Sequence, residues 1–114
     1  MPPYPPIPVP QKLREFLADY PECIAEIEQR LARYSAKPSK LQPFDGALWA
    51  LEGVTERMML EARELSEQAS ERGDAALAEA AKAKERRLMD AASLRFRLIE
   101  GVFEHIRDVW GLTP

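Results

Sequence analysis

One cysteine and one histidine stand in 114 residues, and that scarcity removes whole classes of chemistry. Cys23 has no second thiol in the chain, so an internal disulfide is excluded and a reducing compartment is expected. His105 stands alone, so there is no H-E-x-x-H pair and no Cys/His spacing suited to zinc. The residue three before it is Val102, which rules out the Glu-x-x-His of a carboxylate metal bundle. The five glycines are scattered and form no phosphate-cradling loop. No apolar run is long enough to cross a bilayer. Met1 leads into prolines rather than a basic-then-apolar stretch, so no signal peptide is expected and a cytoplasmic location follows by default. A dominant charge is missing too: 16 basic against 19 acidic residues give a net charge of −3. At a pI near 5.3 no global field attracts nucleic acid or an acidic membrane.

What is present is helix-forming sequence, and the chain is organised around Pro43 to Trp110. Apolar residues recur at three- and four-residue steps at Phe44, Leu48, Leu51, Met58, Ala62, Leu65 and Ala69, with Thr55 at the missing step. A second series runs Leu77, Ala81, Leu88, Ala92, Ile99, Phe103, Ile106 and Trp110. Arg72-Gly73-Asp74 separates them. Glycine there can take the left-handed conformation that ends a helix, and Asp74 can cap the next one. The expected fold is all-α: a long antiparallel, coiled-coil-like hairpin of helices at about 43–72 and 74–110. Pro43 suits a first helical turn, with Asp45 near the positive end. Gly46 and Gly101 fall near each other in this register, which suggests a close helix crossing at the base.

The first ten residues, MPPYPPIPVP, hold six of the ten prolines and predict an extended arm. Tyr4, Ile7 and Val9 are its apolar groups, expected to insert along the helices. The bare P-x-x-P spacing, without a flanking basic residue, is a poor match to SH3 or WW ligands. Residues 11–114 are expected to form one helical domain. Leu13, Leu17, Tyr20, Ile24, Ile27, Leu31 and Tyr34 keep one phase, but Pro21 interrupts it. Two short helices, about 11–19 and 20–34, are predicted to meet there and to pack on the hairpin base. Asp19-x-x-Glu22 resembles a capping box.

Near its base the second arm is apolar over more than half its circumference, because Leu94, Leu98, Val102 and Val109 add a second stripe. Toward the tip, from about Ala62 to Lys84, the seam is mostly alanine and removes little apolar surface from water. A helix from Asp74 to Trp110 is about 55 Å long at about 1.5 Å per residue, whereas a compact chain of this size is about 35 Å across. The tip is therefore expected to project and to borrow cover from a second copy, a homodimeric four-helix bundle being the simplest arrangement. Glu61, Glu64 and Glu67 are expected opposite Lys82, Lys84, Arg86 and Arg87.

Function then points away from catalysis. Glu61-x-x-Glu64 resembles the first motif of the helical pyrophosphohydrolases. Their second motif, E-x-x-D, is absent, since Asp90 follows Arg87 and Asp108 follows His105 at that spacing. No catalytic, cofactor or metal residues are assigned. A non-catalytic protein-interaction module is expected: an adaptor, chaperone, immunity-type inhibitor or assembly subunit, working as a homodimer and binding an unidentified protein. Trp49, Leu60, Leu65, Leu77, Leu88 and Met89 are the candidate partner-binding residues. The alternative is nucleic-acid association of a dimer through the basic run Lys82 to Arg87, with Lys82, Lys84, Arg86 and Arg87 touching phosphates.

Overall fold

The computed structural model describes residues 4–93 and 95–113, with side chains described outside 94–100. The expectations for Leu94, Leu98 and Ile99 therefore lie outside the described residues. Among the described residues five helices follow in order: α1 (Gln11–Phe16), α2 (Pro21–Ala36), α3 (Pro43–Glu71), α4 (Ala75–Ser93) and α5 (Arg95–Asp108). Among the described residues there is no strand. α3 packs along α4 as in a hairpin and meets α5, α2 lies on α3, and α1 touches both α4 and α5.

The reversal between α3 and α4 is built from three consecutive residues. Gly73 takes φ +76°, a conformation that costs a residue with a Cβ atom and costs glycine nothing. Its N–H donates to the Ser70 carbonyl at 3.1 Å, and the Asp74 N–H donates to the Ala69 carbonyl at 2.8 Å. These are the two bonds of a Schellman ending. The Asp74 carboxylate then accepts the Leu77 N–H at 3.1 Å, which caps α4. Asp74 thus closes one helix with its backbone and opens the next with its side chain.

Above the turn the seam is thin: Ala62, Ser66 and Ala69 of α3 and Ala78 and Ala81 of α4 are buried. Toward the base it thickens into a core containing Phe44, Leu51, Met58, Leu88, Ile106 and Trp110. The Phe44 and Phe103 rings meet edge to face at 5.0 Å. α3 also buries a second stripe, Gly46, Ala47, Ala50 and Val54. Its close contact is with α2, and the Gly46–Gly101 crossing does not form. A Cβ at Gly46 would stand 2.5 Å from the Tyr34 Oη and 2.9 Å from its ring, whereas one at Gly101 would meet only Pro10 at 4.0 Å. The Tyr34 hydroxyl donates to the Pro43 carbonyl at 2.6 Å, which fixes the ring over the first turn of α3.

Pro21 breaks the N-terminal helix instead of bending it. α1 ends at Phe16, and α2 starts at Pro21 with Tyr20 as N-cap and no side-chain cap bond. Pro21 suits the first helical position, where its missing N–H would have lacked a partner anyway. With Tyr20 as N-cap, Glu22 falls one position short of the third, and the capping box expected from Asp19 and Glu22 is not formed. The arm packs on its own helices. Ile7 is 1% and Val9 4% exposed, and the Ile7 N–H donates to the Ser35 Oγ at 3.0 Å. The Trp110 Nε1–H donates to the Pro5 carbonyl at 2.8 Å, and the Tyr4 ring stacks on Trp110 at 4.6 Å.

The whole measures 53 × 24 × 20 Å, a rod. Its bare tip is shorter than the alanine pattern suggests. Ala62, Ala81 and Lys84 border a groove with Glu22, Cys23 and Glu26 of α2, so the start of α2 reaches that level. Only about 10 Å of helix pair, beyond Leu65, stands clear of it.

Two measurements of denaturant unfolding check this packing. Gly46→Ala should cost about 1–3 kcal/mol through overpacking against Tyr34. Gly53→Ala, where nothing lies within 4 Å of the added atom, should be neutral or stabilising by up to about 1 kcal/mol. Ile7→Ala should cost about 2–5 kcal/mol and Pro6→Ala less than about 0.5 kcal/mol. Equal effects at Ile7 and Pro6 would contradict a core role for the arm.

Candidate functional site

A pair of packed helices has two broad flanks, and the N-terminal segments choose one. On α3, Ala47, Ala50 and Val54 turn toward α2. On α4 the covered flank is marked by Lys84, whose Nζ lies 3.1 Å from the Glu22 carboxylate and 5.8 Å from the Tyr20 ring centre. Arg87 marks it too, with its guanidinium 4.7 Å over the Phe16 ring.

The opposite flank carries three of the exposed large apolar side chains, Trp49, Leu60 and Met89. Trp49, Gly53, Glu56 and Leu60 share one stripe of α3, since their spacings of four, three and four keep phase with the helix. Trp49 is 57% and Leu60 55% exposed, and Met89 on α4 is 51% exposed. Between the two helices lies a shallow groove of about 150 Å³. Leu48, Leu51, Met59 and Ala92 line it, Glu52 and Glu56 stand along it, and the buried Leu13 of α1 reaches it from beneath.

The other three residues assigned to partner binding are placed elsewhere. Leu88 is fully buried in the core, so that assignment is corrected: its stripe is enclosed by α3 and the N-terminal segments together. Leu77 is half-buried. Leu65, 39% exposed, borders the groove with Glu22, Cys23 and Glu26 on the covered flank. Leu41 (94%) and Val109 (52%) are also exposed. Leu41 sits in a polar connection outside any periodic stripe, so the sequence pattern carries no signal for its exposure.

The expected pairing of first-arm glutamates with second-arm cations is also corrected. The bond across the hairpin runs the other way, from Arg63 Nε to Glu85 at 2.8 Å. Lys84 instead meets Glu22, and Arg57 meets Glu26 at 2.9 Å, because α2 brings its own carboxylates to the hairpin. Lys84 and Arg87, three residues apart, face the N-terminal helices. Lys82 and Arg86, four apart, are exposed on another side. The four cations are thus split between two faces.

Reactive groups are quiet. Burial pushes the Cys23 thiol above its ordinary range, which leaves it protonated and inert. His105 Nε2 lies 3.4 Å from the Pro5 carbonyl oxygen, and its ring stands edge-on to Trp110 at 6.3 Å. Among the described residues no group of three or more His, Cys, Asp or Glu is placed to hold a metal ion, and no helix is long and apolar enough to cross a membrane.

Glu22 is held below its ordinary value of 4.5 by the hydrogen bond from its own backbone N–H and by Lys84. For Lys84, burial is the largest single influence and opposes the charge, but the bond to Glu22 together with the fields of Cys23, Glu22 and Glu26 outweighs it, and the pKa is raised. A lowered carboxyl pKa stabilises the fold above the unfolded value, and that contribution is lost as pH falls through the folded one. With Glu22 57% exposed, solvent screening keeps it below about 1 kcal/mol. Glu22→Gln should therefore lower the melting temperature slightly at neutral pH. The gap between variant and wild type should close as acid protonates Glu22, and a gap that widens in acid would contradict the ion pair.

Against this geometry, comparison with protein-family models, curated proteins and solved structures gives no match.

Proposed function

We propose that the chain is a non-catalytic protein-interaction module working as a homodimer. In this reading it is a coiled-coil-like hairpin, braced on one flank by two short helices and a proline-rich arm, which presents its other flank to a partner. Adaptors, chaperones, immunity-type inhibitors and assembly subunits act in this stoichiometric way. One observation carries the reading: Trp49, Leu60 and Met89, each more than half exposed, stand on the flank that the chain's own N-terminal segments leave open. Fully burying such a side chain yields about 1.5–3 kcal/mol. Tryptophan is also among the residues that most often dominate binding energy at interfaces. The groove beside Met59 gives a partner side chain a place to enter.

Nucleic-acid association through Lys82 to Arg87 has less behind it. Two of the four cations are engaged with Glu22, Tyr20 and Phe16, and the net charge is −3.

Pull-down from the native cell extract tests the interaction reading when wild type is compared with Trp49→Glu and Leu60→Glu. The wild type should retain a defined protein in stoichiometric amount, and each variant should lose it with an unchanged helical circular dichroism spectrum. Capture that persists in both variants would remove the open flank as the binding surface. DNA retention at low salt that Lys82→Glu and Arg86→Glu abolish would favour the nucleic-acid alternative.

A further inference from the structure

We draw no further inference here: the strongest candidate, the apolar groove between α3 and α4 that Leu48, Met59 and Ala92 line beside the exposed Leu60 and Met89, is an open face, and nothing in the structure shows what covers it.

Discussion

Two helices side by side cannot hide both of their broad flanks with what lies between them, and the rest of this structure follows from that shortage. α3 and α4 share a seam that is mostly alanine near the turn, where each buried methyl yields only about 0.8 kcal/mol. The chain before Pro43 supplies the missing cover, and all of it goes to one side. α1, α2 and the arm bring Ile7, Leu13, Leu17, Ile27 and Leu31 into the core. Nothing comparable reaches Trp49 or Leu60, so the rod has one finished flank and one unfinished one.

Local chemistry was legible where a single residue type decides the backbone. The start of α3 at Pro43, the left-handed Gly73 and the cap at Asp74 were all readable, because each depends on atoms within a few residues. Trp49 and Leu60 were readable as surface groups for a similar reason: they fall out of phase with the main stripe of α3. The side on which α2 lies was not readable. The stripe it uses, Gly46, Ala47, Ala50 and Val54, consists mostly of small residues that carry little periodic signal. Leu88 went wrong because its stripe serves two neighbours at once, and periodicity cannot count neighbours.

Charge illustrates the same limit. Signs summed along each arm put glutamates opposite lysines and arginines, yet Arg63 found Glu85, the one residue of opposite sign within each cluster. Lys84 was drawn away by Glu22, a residue more than sixty positions earlier. Pairings across a helical hairpin depend on which third element arrives, and long-range packing sets that arrival. The aromatic faces of Phe16 and Tyr20 then take the aliphatic and cationic parts of Arg87 and Lys84, contacts worth about 0.5–1 kcal/mol each at exposed sites.

The arm ties together the two most distant parts of the chain: Pro5 and Trp110 are 105 residues apart and share a hydrogen bond. During synthesis, α3 and α4 can zip together as soon as α4 has followed the turn out of the ribosome, since their contacts are close in sequence. The leading segment has no such option. Its docking surface at Trp110 is translated about a hundred residues later, which at about 5–20 residues per second is a wait of about 5–20 seconds. Throughout that interval Tyr4 and Pro5 lack their seat on Trp110, and the nascent chain is open at the place where the finished molecule is latched.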